Sequence, residues 1–242
     1  MTARVAALRR YPVKSMGGEE LASVPVLRAG IPGDRGWCLR ETATGRVLSA
    51  KRFAPLLLCS ARFLDEPRAG EPPPPAEVEL PDGSRTRTDD PAGAAALSRL
   101  LGVEAAWSRQ DAGGGHFDDH PLHLLTTAAL KTMSASGEDF DARRFRPNVL
   151  IALEAPGRPE DAWPGGEVRL GTLALRVLKP VKRCVMTTLA QPGQAKAQRV
   201  LQVILASGGT LGVYARATEA GACAVGDAVS WTPPAEVASI PI

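Results

Sequence analysis

Along the first hundred residues, apolar and polar positions alternate in short runs, and most runs end at glycine or proline. Ala3–Arg10 reads as a strand that stops at Tyr11-Pro12, and residues 20–27 as a second that stops at Gly30, Pro32 and Gly33. Trp37–Glu41 and residues 46–50 flank Thr42-Ala43-Thr44-Gly45, where glycine can take the positive φ of a tight hairpin. Residues 56–64 form a longer, mostly apolar run, as expected of a buried strand. Residues 78–80 and 84–88 flank Pro81-Asp82-Gly83, a turn sequence. No strand–helix–strand rhythm interrupts this series, so it predicts a meandering barrel. Residues 65–76 include Pro72-Pro73-Pro74-Pro75, which lack amide donors and cannot continue a ladder; they predict a solvated loop.

The second half mixes helices into the pattern. Asp90-Pro91 opens a helix that continues through residues 94–101 and stops at Gly102. Residues 111–115 contain three consecutive glycines and mark a boundary between two parts, 1–110 and 111–242. The apolar positions Leu122, Leu124 and Leu125 read as a strand entering a core. A helix should begin at Thr126 or Thr127, where a hydroxyl can cap free amides, and fray at Ser136-Gly137. Residues 149–153, 167–178, 211–217 and 227–231 read as further strands. The expected class is mainly β with a few helices, in two interlocked β-rich domains.

Composition narrows the function more than the fold. With 242 residues the chain can bury an ordinary core. Lys plus Arg total 29 against 26 Asp plus Glu, and a net charge of +3 is too weak for a nucleic-acid footprint. The apolar runs fall short of the roughly 20 residues needed to span a bilayer. The opening MTARVAALRR does not fit a signal peptide. Cys38, Cys59, Cys184 and Cys223 do not make a disulfide scaffold, which points to free thiols in a reducing, cytoplasmic compartment. The 24 glycines and 21 prolines suit many short strands, although a GC-rich coding sequence would give the same bias.

The chemistry-bearing residues are dispersed. The chain carries no phosphate-binding loop, dinucleotide fingerprint, nucleophile elbow or C-x-x-C pair. His116, His120 and His123, with Asp118 and Asp119, could in principle hold zinc, but Pro121 falls among them and packing or surface roles fit better. Lys14 and Ser15 follow the first strand, and Arg35 lies in the turn Gly33-Asp34-Arg35. Arg143, Arg144 and Arg146 precede Pro147-Asn148; the proline should bias Arg146 toward extended backbone and let its side chain project from a loop. Pro180 should end regular pairing before Arg183-Cys184, and the charges of Lys182 and Arg183 should favour a thiolate at Cys184. Each feature taken singly also has a plain reading, as a solvated arginine or a small buried cysteine.

Their order is more specific than any one of them. Y-P-V-K-S, G-D-R-G-W, F-R-P-N, R-C-V-M-T-T, G-V-Y and a closing V-G-D follow one another along nearly the whole chain. This series resembles the MOSC-domain proteins, in particular the branch with an N-terminal MOSC β-barrel that includes the mitochondrial amidoxime-reducing component and its bacterial relatives. The resemblance implies a β-barrel-rich fold with a molybdenum cofactor, a phosphorylated pterin dithiolene (Mo-molybdopterin), in the cleft between the two domains. It places the metal-binding cysteine on Cys184 and an aspartate near the substrate side on Asp118. The phosphate- and pterin-contacting residues fall on Lys14, Ser15, Arg35, Arg146, Asn148, Arg183 and Tyr214. A soft thiolate suits a metal already held by sulfur, and arginine forks suit a phosphate. The implied activity is reduction of small N-hydroxylated substrates (amidoximes, hydroxylamines, N-hydroxylated bases) with electrons from a separate ferredoxin- or flavin-type reductase. A non-enzymatic cofactor carrier, or a sulfur-transfer module with sulfur carried on Cys184, is the alternative. Against that resemblance, no C-terminal ferredoxin domain and no membrane anchor of the kind some relatives carry are expected, nor are membrane or nucleic-acid partners, and a monomer is expected. Lys182 stands where close relatives carry a small polar residue.

Overall fold

The computed structural model describes residues 2–111 and 115–234. Its strands in chain order begin with β1 (Ala3–Arg10), β2 (Glu19–Leu21), β3 (Ser23–Val26), β4 (Trp37–Glu41), β5 (Ser60–Phe63), β6 (Ala76–Glu79), β7 (Arg85–Arg87) and β8 (Ala105–Arg109). They continue with β9 (Leu122–Thr126), β10 (Val149–Ala152), β11 (Glu167–Leu170), β12 (Leu173–Lys182), β13 (Thr210–Ala217), β14 (Gly221–Ala224) and β15 (Ala228–Thr232). The α-helices among the described residues are α1 (Pro91–Leu101), α2 (Thr127–Ser134), α3 (Ala142–Phe145) and α4 (Gln198–Ala206). The protein is therefore mainly β, as its sequence implies.

Seven strands run in the order β10-β9-β13-β12-β11-β15-β1, and pairing of β1 with β10 closes them into a barrel that β2 extends at one edge. Inward positions such as Leu8, Leu124, Ile151, Leu175, Val213 and Ala215 fill the interior with essentially no exposure. The N-terminal segment thus supplies a stave of a barrel otherwise built from the second half, which is how the two halves interlock. A second core lies beside the barrel, where the ribbon β4–β8, the sheet β5-β6-β7 and helix α1 enclose Leu39, Leu56, Leu57, Val78 and Leu97. Helices α2 and α4 pack with Phe140 and Phe145 over a third apolar cluster.

Both well-signalled helices form with the caps their sequences specify. Asp90 accepts from the Ala92 amide at the start of α1, and Gly102 ends it with φ +68°. Thr126 accepts from the Ala129 amide at the start of α2. The turn at Asp82-Gly83 joins β6 to β7 as expected.

Other segments depart from the pattern. Residues 56–64 are not one strand: Pro55 starts a 3-10 turn, Ala54–Leu58, that buries Leu56 and Leu57 and exposes Leu58 before β5 begins. Residues 46–50 turn at Gly45 but make only a bridge from Val47 to Arg40, because β4 takes β8 as its ladder partner. The run 20–27 breaks between β2 and β3. Residues 167–178 are not one strand but a hairpin, β11–β12, that turns at Gly171 (φ +57°). Pro180 does not end pairing: β12 continues past it to Lys182 with irregular register, Pro180 standing opposite Val213. Strands β8 and β14 and helix α4 are not among the predicted elements, although Val200, Val203 and Ile204 of α4 recur at helical spacing. Residues 112–114, which include two of the three consecutive glycines, lie outside the described residues.

Candidate functional site

One end of the barrel and the neighbouring unit enclose a cleft of about 640 Å³, part of it open to solvent. Segments far apart in sequence reach it, each redirected by a short local device. After β1, the Trp37 amide donates to Pro12 O (3.0 Å) and the Lys14 amide to Trp37 O (2.9 Å), which brings Lys14 and Ser15 to the cleft, where the buried Ser15 Oγ accepts from the Ala50 amide (3.1 Å). Arg35 comes from the turn before β4, and Asp118 from the segment before β9. Arg144 and Arg146 come from α3 and its C-terminal cap, and Tyr214 from β13. Lys182, Arg183 and Cys184 follow from the end of β12 into a 3-10 turn, Val185–Thr188. The Cys184 carbonyl accepts from the Thr187 amide (3.0 Å) and hydroxyl (2.9 Å), which ties down the chain behind the partly exposed thiol.

Among the described residues, three non-glycine residues have left-handed backbone: Ser15 (φ +68°), Arg35 (φ +52°) and Arg146 (φ +56°). All three line this cleft. Such conformations cost of order 1–3 kcal/mol each and collect where a structure must aim side chains at one point. For Arg146 this reverses the expectation of extended backbone before Pro147. The residue caps α3, and its side chain turns inward, the Nη1 donating to Met16 O and the guanidinium lying 4.2 Å from the Tyr11 ring.

The charges are unbalanced. Lys14 pairs with Asp118 (2.6 Å), and Arg35 with the buried Asp34. Among the described residues, Arg144, Arg146 and Arg183 have no carboxylate partner. Arg144 donates to the carbonyls of Thr187 (3.2 Å), Leu189 (3.2 Å) and Ala195 (3.0 Å), and Arg183 to that of Phe145 (2.8 Å). The Nε atoms of Arg144 and Arg183 are buried without any partner. Burial lowers the pKa of Arg146 and of Arg183 to about 10, so both remain charged at neutral pH. Cations withdrawn from water without a counter-charge are costly, and a bound anion would offset that cost.

His123 lies beneath Tyr214, fully buried, with its Nε2 unpartnered. Burial, reinforced by the charge of Arg183, holds its pKa well below the usual imidazole value, so the ring is neutral. The sequence gives no reason to separate it from His116 and His120; among the described residues no group of three His, Cys, Asp or Glu side chains could hold a metal ion. Arg144 was likewise indistinguishable from Arg143, which instead lies exposed against Asp141 (2.6 Å).

Eight of the nine residues singled out from the sequence line the cleft: Lys14, Ser15, Arg35, Asp118, Arg146, Arg183, Cys184 and Tyr214. Asn148 does not. It is 1% exposed, its Oδ1 accepts from the His123 amide (3.1 Å), and its Nδ2 donates to Arg9 O (3.2 Å) and Asp34 Oδ2 (3.1 Å). It braces the wall behind the site. Cys38, Cys59 and Cys223 are buried away from the cleft; burial raises the thiol pKa of Cys59 to about 11 and of Cys223 to about 12.

Comparison with known proteins bears on the same region. Residues 109–230 match the MOSC domain, and residues 2–71 match the MOSC N-terminal beta barrel domain. No curated protein matches the chain. Among solved structures, the YUAD protein from Bacillus subtilis is similar over 96% of this chain and 97% of its own, at 15% identity and a TM-score of 0.51. YiiM from Geobacillus stearothermophilus aligns over 48% of this chain and 55% of its own, at 17% identity and a TM-score of 0.38.

Proposed function

The chain belongs to the MOSC-domain family, and we propose that it holds a molybdenum cofactor in this cleft and reduces N-hydroxylated compounds. MOSC domains are associated with molybdenum-cofactor binding or sulfur transfer. The single observation that carries the proposal is a cysteine beside buried guanidinium groups that lack a carboxylate partner among the described residues, Arg146 and Arg183 above all.

The residues fit the group. A phosphorylated pterin is anionic, and Lys14, Ser15, Arg35, Arg146 and Arg183 would hold its phosphate and ring edge through charged and neutral hydrogen bonds. The buried, unpartnered Nε of Arg183 is a donor that matches an acceptor on such a ligand. Cys184 would give the metal a soft thiolate. When bound, the cofactor supplies oxygen abstraction from nitrogen and two-electron redox chemistry.

The protein's own part is binding, orientation and charge. The carboxylate of Asp118, exposed on the side away from Lys14, would accept a hydrogen bond from a substrate N–H at the mouth. Tyr214 would close one wall over the neutral His123 and keep bulk water from the inner cleft. Electrons would come from a separate ferredoxin- or flavin-type reductase. Among the described residues, no helix is long and apolar enough to cross a membrane.

The test is metal and pterin analysis of protein made in a host that builds the cofactor, followed by turnover of benzamidoxime with reduced viologen. Bound molybdenum with turnover is the expected result. Bound cofactor without turnover would indicate a carrier, and a persulfide on Cys184 without tightly bound metal would indicate sulfur transfer.

A further inference from the structure

We infer that Tyr11 is the positioning residue of the anion site, gathering Arg35 and Arg146 against one aromatic ring; the inference rests on reading the cleft as an anion site. The Cζ of Arg35 lies 4.8 Å from the ring centroid and that of Arg146 lies 4.2 Å from it. Two guanidinium groups repel each other, and the charge of Arg35 is among the influences that lower the pKa of Arg146. The negative potential over an aromatic face attracts both and offsets that repulsion.

The ring is itself held by the chain neighbours of the two arginines. Its hydroxyl donates to the carbonyl of Pro147 (3.1 Å), the residue after Arg146. Its backbone amide donates to Oδ1 of Asp34 (2.8 Å), the residue before Arg35. The Arg35 amide in turn donates to the Tyr11 carbonyl (2.6 Å). Each arginine is thereby fixed twice, through its side chain and through backbone, that of Arg35 itself and that of Pro147 beside Arg146, and both arginines hold left-handed conformations. Asn148 completes the bracket by donating to Asp34 Oδ2 (3.1 Å). Tyr11 is buried and does not line the cleft, so it acts through the arginines rather than on a ligand.

Calorimetric titration of the purified protein with inorganic phosphate tests this. Tyr11→Phe keeps the ring and should bind phosphate within about threefold of the wild type, whereas Tyr11→Leu should bind roughly ten- to hundredfold more weakly. Tyr11→Leu binding like the wild type, or Tyr11→Phe failing equally, would overturn the inference. If Tyr11→Leu does not fold, the wild type decides by NMR: stacking should shift the side-chain δ protons of Arg35 and Arg146 upfield, and unshifted resonances would overturn the inference. A wild-type protein that binds no phosphate would defeat both the anion site and the role of Tyr11. Phosphate binding that depends on Tyr11 in a protein that never takes up molybdenum would remove the proposed reductase function alone.

Discussion

Lys14 Nζ lies 2.6 Å from Asp118 Oδ1 and 2.7 Å from the carbonyl of His116, so this cation of the cleft already has a carboxylate partner. An incoming anion must compete with that carboxylate. Asp118→Asn should therefore raise phosphate affinity several-fold in calorimetric titration, and unchanged or weaker binding would show that Asp118 does not oppose the ligand. The effect is bounded by screening, because Asp118 is largely exposed.

The same pair sets a pH dependence. Partial desolvation at the cleft would raise the Asp118 pKa, but the charge and hydrogen bond of Lys14, with Arg35 and Lys51 beyond, bring it below the usual carboxylate value. A depressed carboxylate pKa means the pair contributes above the unfolded-state pKa and is lost as pH falls through the folded one. Methanesulfonate, the anion of a strong acid, keeps its charge across that range. Its affinity for the wild type should rise toward that of Asp118→Asn as the solution is acidified, and parallel curves for the two proteins would refute the coupling.

Arg146→Ala removes a cation with no carboxylate partner among the described residues. A charged hydrogen bond is worth about 1.5–3 kcal/mol, so phosphate affinity should fall by roughly one to two orders of magnitude. The fold should tolerate the change better than loss of a paired charge, because alanine leaves no partner carboxylate stranded. A thermal melt alongside the titration separates the two effects.

Much of this site was legible because its residues sit at breaks in the pattern, after strands or in turns, where a polar side chain has no core to serve. Lys14, Arg35, Arg183 and Cys184 all stand at such breaks. Asn148 looked the same in sequence yet turns inward, since its amide satisfies three backbone and side-chain groups behind the wall. Arg146 lines the cleft, but with left-handed rather than extended backbone: proline biases its neighbour locally, whereas contact with Tyr11 and the cap of α3 decide its conformation. Tyr11 stands in Y-P-V-K-S and His123 in the histidine group, but nothing in the sequence singles out their roles, because a buried aromatic and a core histidine differ from site residues only in what the folded chain brings beside them. The same holds for residues 56–64, where proline and close packing override an apolar run that would otherwise make a strand.

Cys184 and Cys59 should respond oppositely to serine. Cys184 is partly exposed at the cleft, so Cys184→Ser should fold and melt like the wild type while losing bound molybdenum or nearly all amidoxime turnover. Cys59 is wholly buried, its thiol 3.7 Å from the Pro55 carbonyl. Cys59→Ser places a hydroxyl in that apolar setting and should cost about 1–3 kcal/mol of stability with metal content unchanged. Full activity in Cys184→Ser would remove the cysteine from the chemistry.

Gly212 shows what the barrel concedes to the site. Where β12 and β13 lose regular register, between the pairs Pro180–Val213 and Lys182–Thr210, Gly212 takes φ +79°. A Cβ there would lie 2.4 Å from His123 Nε2 and 2.7 Å from the Leu124 carbonyl. Gly212→Ala therefore meets a conformation alanine resists, a buried imidazole and a backbone oxygen at once. It should cost at least about 2 kcal/mol, a fall of several degrees in Tm for a chain of this size. Adding His123→Ala removes the imidazole clash but leaves the Leu124 carbonyl and the positive φ. The double variant should recover stability only in part relative to His123→Ala alone, by thermal melt. Full recovery would mean the imidazole alone demands the glycine; no recovery would mean that the backbone does.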